Sequence, residues 1–120
     1  MSAKRYIILA KAYDKKGNLL SVGENSYRKS NPIMKYFAEQ AGLPAKIYLH
    51  SEVQALLRTK DKKVYKLTIE RYTADGNPAN AKPCPVCQLA IKAWGVSFVE
   101  YTTAKGWIKE KVWVRLLSLK

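Results

Sequence analysis

The sequence predicts an α/β fold in which helices pack on a mixed β-sheet. Three observations lead there. Apolar, β-branched and aromatic runs alternate with segments of helical spacing, and Pro or Gly marks the ends of those segments. The first and last pairs of runs are each joined by links too short for a parallel crossover.

Residues 5–13 (RYIILAKAY) and 18–25 (NLLSVGEN) are apolar runs joined by Asp14-Lys15-Lys16-Gly17, whose Gly suits a tight turn, so they read as a β-hairpin. Asn31 followed by Pro32 is an N-cap and first-position signal. Ile33, Met34, Phe37, Ala38 and Ala41 then recur at helical spacing until Gly42, a C′ residue. After the linker Leu43-Pro44-Ala45, residues 50–58 (HSEVQALLR) place Val53, Leu56 and Leu57 on one face of a short helix, with His50 at its first turn. Residues 64–73 (VYKLTIERYT) have strand composition, and Asp75-Gly76-Asn77-Pro78 breaks them into a loop that runs to Pro83.

Helical spacing resumes over 83–94 (PCPVCQLAIKAW) through Val86, Leu89, Ala90 and Ala93. Pro85 is tolerated because it lies in the first turn, and Gly95 ends the helix. Residues 96–101 read as a buried strand and 106–114 (GWIKEKVWV) as another; the short link 102–105 makes the two an antiparallel hairpin. The tail 115–120 (RLLSLK) has no decisive pattern. With no internal repeat and no linker, the order condenses to ββαβαββ in a single domain over 1–120.

At 120 residues the chain holds one compact domain and no second core. Its 48% hydrophobic and 26% charged content excludes a disordered or low-complexity chain. Lys and Arg number 22 against 9 Asp and Glu, a net charge of +13 that repels itself unless a polyanion or phosphorylated ligand balances it. The bland reading is a basic surface kept for solubility. No stretch approaches the ~20 apolar residues of a membrane span, and the run 6–10 is too short for a signal-peptide core, so a cytoplasmic protein with no membrane partner is expected. The two cysteines, Cys84 and Cys87, have two residues between them; they suit metal or redox chemistry in a reducing compartment better than a disulfide framework.

His50 is the only histidine, and it and both cysteines fall at helix starts. One imidazole and two thiolates are good zinc ligands. A closed structural site usually takes four Cys or His side chains, so unless a carboxylate intervenes three leave a position for water, the open arrangement that makes hydroxide available near neutral pH and suits hydrolysis. Glu52, two residues after His50, is the candidate general acid and base. Taken singly these residues have blander readings: a dithiol redox pair or two small buried hydrophobes for the cysteines, a structural histidine, a solvated helix-surface carboxylate. Their concurrence favours the metal.

His50-Ser51-Glu52 followed by Pro83-Cys84-Pro85-Val86-Cys87 resembles the H-x-E and P-C-x-x-C signature of the zinc-dependent cytidine deaminase superfamily. The resemblance covers the chain from about residue 25 onward, since the strand and helix order and the helix-borne ligands also match. It implies a three-layer α/β fold with a mixed central sheet flanked by helices, Zn2+ held by His50, Cys84 and Cys87, and Glu52 as proton shuttle. Asn25 falls where many members place an Asn that contacts the sugar or base, although it also suits a strand-terminal turn. Ser51, Pro83 and Tyr101 join it as substrate-binding candidates. The run 87–96 (CQLAIKAWGV) resembles deoxycytidylate deaminases and small phage or viral deaminase-like proteins, and reads equally as helix packing.

Two departures bear on the branch. Free cytidine deaminases usually have Cys in place of His50, and the nucleotide, transfer-RNA and polynucleotide branches usually insert a helix between the last two strands. The short 102–105 link instead resembles the branch with a terminal hairpin, which includes free-nucleoside deaminases and several bacterial toxin deaminases.

The implied reaction is hydrolytic deamination, most commonly cytosine to uracil, though adenine and guanine versions exist and the motifs do not separate them. Single-stranded DNA or RNA is the first expected substrate. Arg58, Lys60, Lys62 and Lys63 follow the Glu52 helix, and Lys105, Lys109 and Lys111 lie near the last strand beside Tyr101 and Trp107, so that cations track a backbone while aromatic faces stack bases. The two aromatics read equally as strand packing. The alternative substrate is free deoxycytidine, cytidine or its monophosphate in salvage. A basic binding protein with a structural zinc is the non-enzymatic reading, against which Glu52 counts. The apolar tail 112–119 serves either a homo-oligomer interface or the core.

Overall fold

The computed structural model describes residues 7–25, 30–43 and 49–112. Strands β1 (Ile7–Tyr13) and β2 (Leu19–Glu24) are followed by helices α1 (Pro32–Gln40) and α2 (Ser51–Arg58), strand β3 (Lys66–Tyr72), helix α3 (Pro85–Trp94) and strands β4 (Phe98–Thr103) and β5 (Gly106–Lys111). The helices expected at 31–42 and 50–58 both form, so the order is ββααβαββ, with two helices before β3 where the condensed order has one. The last strand is described as far as Lys111. The tail 115–120, and all but the first residue of 112–119, lie outside the described residues.

The sheet order is β2-β1-β3-β4-β5. Among the described strands only β3 and β4 are parallel; the other neighbours are antiparallel, which makes the sheet mixed and both terminal pairs hairpins. The first turn is held by the Asp14 carboxylate, which accepts from the backbone amides of Lys16 (2.9 Å) and Asn18 (2.8 Å) and from Asn18 Nδ2 (3.0 Å). Gly17 supplies the left-handed conformation there, at φ 87°. Asn31 caps α1 through its side-chain oxygen on the Ile33 amide (2.8 Å), and Leu43 N–H closes the other end on Ala38 O (2.8 Å) past a left-handed Gly42.

Register puts Ala10 and Ala12 of β1 beside Ile69 and Leu67 of β3, which in turn lie beside Tyr101 and Val99 of β4. These six are buried on one face of the sheet, together with Val53 and Leu56 of α2 and Val86, Ala90 and Ile91 of α3. Helix α1 packs against α3 and buries Met34 and Ala38. The other sheet face carries ion pairs, Lys11–Glu70 (3.5 Å) and Lys66–Glu100 (3.3 Å), as the period of two along a strand requires. Among the described residues no helix is long and apolar enough to cross a membrane.

Two features position the functional residues. First, α2 is clamped to β2. Ser21 Oγ donates to Ala55 O (2.6 Å), the Glu24 amide donates to Gln54 Oε1 (2.8 Å), and Arg58 Nη1 donates to Val22 O (2.8 Å). Second, β3–β4 pairing stops at Ile69 and Tyr101. Beyond it the loop before α3 wedges between the strand ends, with Ala79 N–H on Arg71 O (2.8 Å) and Ala81 N–H on Thr102 O (2.8 Å). That is the carboxyl end of the one parallel pair among the described strands, the place where α/β sheets open a crevice.

Candidate active site

His50 is the N-cap of α2 and Cys84 the N-cap of α3, both with extended backbone and neither using its side chain to cap its helix. Cys87 lies one turn further along α3 and is buried. Packing of α2 against α3 brings the two helix starts together. His50 Nδ1 lies 3.2 Å from Cys87 Sγ and 3.6 Å from Cys84 Sγ, and the three ligand atoms all fall within 4.8 Å of one another.

Those separations test the fit of a metal. A tetrahedral zinc with bonds of about 2.1 Å to nitrogen and about 2.3 Å to sulfur sets its ligand atoms about 3.6–3.8 Å apart. The triad is therefore spaced for one ion, and its donor set is the one zinc prefers. Neither cysteine is in a disulfide. A hydrogen bond from Cys87, with His50 adding to it, draws the Cys84 thiol down to about 3, while the same bond and burial push Cys87 up. The direction of these shifts favours the thiolate form at Cys84, the form that receives a cation.

Glu52 is only 6% exposed, so the solvated helix-surface reading does not hold. It accepts a hydrogen bond from Ser51 Oγ (2.9 Å). Burial raises its carboxyl above the usual range, the direction wanted in a group that must take up and release a proton. His50, Ser51, Glu52 and Cys84 are among the residues that line a cavity of about 320 Å³. Ile8 and Ile69 form apolar walls, and Asn25, Arg71, Asn80 and Lys82 supply polar groups.

The remaining sequence candidates are distributed as follows. Asn25 and Ser51 line this cavity; Pro83 and Tyr101 do not. Pro83 is buried at the start of α3, where its carbonyl accepts from Gln88 Nε2 (2.8 Å), and it faces a neighbouring cavity of about 210 Å³. Tyr101 is buried on β4 and donates its hydroxyl to Glu110 Oε2 (2.9 Å). Arg58 spends a guanidinium N–H on Val22 O, and Lys60, Lys62 and Lys63 are exposed in the turn after α2. Lys109 lies over the Phe98 ring at 4.7 Å. Lys105 and Trp107 stand at the β4–β5 tip, beside a third cavity of about 500 Å³.

Sequence reasoning did not find Ile8, Ile69, Arg71, Asn80 and Lys82. Two signals were available: Asn80 and Lys82 immediately precede the Pro83-Cys84 pair, and Arg71 closes β3 at the end where ligands sit in such sheets.

No protein-family model and no curated protein matches the sequence. Among solved structures the chain is similar to the crystal structure of cytidine deaminase from Mycobacterium leprae, with a TM-score of 0.50 and 17% sequence identity over 97% of this chain and 81% of that one. The fold is cytidine deaminase-like. Among the described residues, a mixed five-stranded sheet and three flanking helices agree with the fold class the sequence predicts, and the His50, Cys84 and Cys87 group sits at the helix starts.

Proposed function

We propose that this chain is a zinc-dependent hydrolytic deaminase that converts cytosine to uracil in single-stranded DNA or RNA. The observation that carries the reading is the His50, Cys84 and Cys87 donor group, of which His50 and Cys84 line the same cavity as the buried Glu52 carboxyl. Bound by those donors, zinc supplies a Lewis acid that makes hydroxide available at neutral pH.

The reaction adds water across the carbon that bears the exocyclic amine. One C–O bond forms, one C–N bond breaks, ammonia leaves, and nothing is oxidised or reduced. Two proton movements accompany it, and both fall to Glu52. Its carboxylate takes the two protons of the attacking water in turn, delivering one to the ring nitrogen beside that carbon and the other to the departing amine, so that uracil and ammonia result. The raised pKa favours the protonated form that the second movement needs. Ser51 Oγ–H holds Oε1 of that carboxyl and so fixes its rotation. Ile8 and Ile69 provide apolar walls for a planar ring, and Asn25 offers an amide to its polar edge or to the sugar.

Polynucleotide is favoured as the carrier because Arg71 and Lys82 line the same cavity and the net charge is +13. The second reading, free deoxycytidine, cytidine or its monophosphate, is favoured by the β4–β5 hairpin and by a fold neighbour that is itself a cytidine deaminase. Incubating zinc-loaded protein with single-stranded DNA, single-stranded RNA, deoxycytidine and deoxycytidine monophosphate, with mass spectrometry of the products, tests both. Uracil within a strand is the expected result. Uracil only from the monomers selects the second reading, and no uracil from any of them rejects the cytosine assignment.

A further inference from the structure

We infer that Thr102 on β4 is a positioning residue for the metal centre: it is not one of the donors, yet its buried hydroxyl fixes the loop 79–83 that delivers Cys84, and with it the cavity wall that carries Arg71 and Asn80. The inference rests on the reading of His50, Cys84 and Cys87 as a metal site and is independent of which base or carrier the chain acts on. Thr102 is 1% exposed. Valine has nearly its shape and suits a buried strand at least as well, so a hydroxyl at that depth is favourable only through the hydrogen bonds it makes.

Those bonds are made where the sheet opens. The β3–β4 ladder ends at Ile69 and Tyr101, and the next residue of β4 takes over from it with its side chain. Thr102 Oγ1 accepts from the Arg71 amide (3.0 Å) and gives its one proton to Ala79 O (2.8 Å) in preference to the more distant Arg71 O (3.4 Å), while the Thr102 carbonyl accepts from Ala81 N–H (2.8 Å). A single residue thus ties the end of β3 to the returning limb of the loop. Arg71 completes the join, since its carbonyl accepts from Ala79 N–H (2.8 Å) and its Nη1 donates to Asn80 O (3.2 Å). Between Ala81 and the ligand stand Lys82, whose amide donates to Asn80 Oδ1 (3.0 Å), and Pro83, whose carbonyl accepts from Gln88 Nε2 (2.8 Å). Cys84 is therefore anchored on both sides, through Thr102 from the strands and through Gln88 from α3. Backbone freedom removed on folding is not lost again when a metal binds, which is how groups outside the ligand set raise metal affinity.

The test compares the full chain with Thr102→Val, which removes the hydroxyl, and with Thr102→Ser, which keeps it. Thr59→Val is the control: Thr59 is also buried and its Oγ1 also donates to a carbonyl, Leu56 O (2.7 Å), but at the end of α2 away from His50. Zinc affinity, by competition with a chromophoric chelator, is expected to fall about tenfold in Thr102→Val and to stay within about threefold of wild type in Thr102→Ser and Thr59→Val. The visible spectrum of the cobalt(II)-loaded protein should depart from wild type in Thr102→Val alone, because it reports the arrangement of the donors and not the stability of the fold. Amide hydrogen exchange reads the loop without a metal. In zinc-free protein the Ala79 and Ala81 amides should be protected in wild type and exchange at least about tenfold faster in Thr102→Val.

Full zinc binding with affinity and cobalt spectrum unchanged in Thr102→Val would keep the metal reading and overturn the inference. So would equal losses in Thr102→Val and Thr59→Val, which would reduce the effect to general stability. Should Thr102→Val fail to fold, wild-type Ala79 and Ala81 amides that exchange as fast as exposed loop amides overturn the inference, and protected amides with a wild-type cobalt spectrum in Thr102→Ser support it. A wild-type chain that binds no zinc while those amides depend on Thr102 for their protection would leave Thr102 as the anchor of the loop and reject the metal reading.

Discussion

Gly23 of β2 lies against the backbone of Ser51 in the first turn of α2, with no room for a Cβ between them: one built there would collide with the Ser51 carbonyl oxygen and the Ala55 amide nitrogen. This close approach seats the helix that carries His50 and Glu52, and the three hydrogen bonds between β2 and α2 hold it in place. Both groups in the collision are backbone, so neither can rotate away.

Gly23→Ala is therefore expected to push α2 off the sheet. A loss of about 1–3 kcal/mol in stability follows from such overpacking, and zinc affinity should fall with it because His50 moves with the helix. Urea denaturation with a zinc titration checks this. A variant with an unchanged urea midpoint and wild-type zinc affinity would refute the clamp.

Removing any one donor of the triad should remove the metal. His50→Ala, Cys84→Ala and Cys87→Ala are each expected to be purified with far less than one equivalent of zinc by elemental analysis. The melting temperature of the wild-type chain should rise with added zinc, by mass action on the folded state, while that of the variants should not. A full equivalent retained by any of the three would remove that residue from the ligand set.

The Asp14 turn makes a pH-dependent contribution with a definite sign. Three hydrogen bonds to its carboxylate, led by that from the Asn18 side chain, hold its pKa below the ordinary value. Its stabilisation is complete above the unfolded value, about 3.9, and is lost as pH falls through the lower folded value. Asp14→Ala should melt below wild type at pH 7, and the difference should shrink as pH falls below the unfolded value. Equal melting temperatures at pH 7 would contradict the assignment.

Leu67 and Leu19 form a paired test of where the core lies. Leu67 is fully buried on β3, and Leu67→Ala should cost about 2–5 kcal/mol. Leu19 is 53% exposed at the start of β2, and Leu19→Ala should stay within about 0.5 kcal/mol. Chemical denaturation of both variants checks the contrast.

Much of this was readable in the sequence because it is local. The Asn31-Pro32 start, the Gly42 and Gly95 stops and the two hairpin turns are each decided within a few residues, and all form. The metal triad was equally local, one histidine and one C-x-x-C, each at a helix start. What the sequence hid depends on which strand end meets which loop. Arg71 faces the cavity because 79–81 wedges beside it, and Gly23 is needed because of a helix far along the chain. Pro83 sits next to a ligand in sequence yet faces another cavity, because the carbonyl of the residue before the N-cap is turned to Gln88. Burial was the other hidden quantity. Glu52 reads as helix surface in a polar stretch, yet it is buried where α2 packs against the sheet and α3.

The central claim is that a buried carboxyl beside a three-donor metal site moves the proton in a hydrolytic deamination. Zinc content and cytosine-to-uracil conversion, measured together on the wild-type chain and on Glu52→Gln, test it most directly. The account predicts a full equivalent of zinc and an unchanged fold in both, with conversion lowered by at least about a hundredfold in the variant. A Glu52→Gln protein that keeps its zinc and still turns over cytosine at the wild-type rate would contradict it.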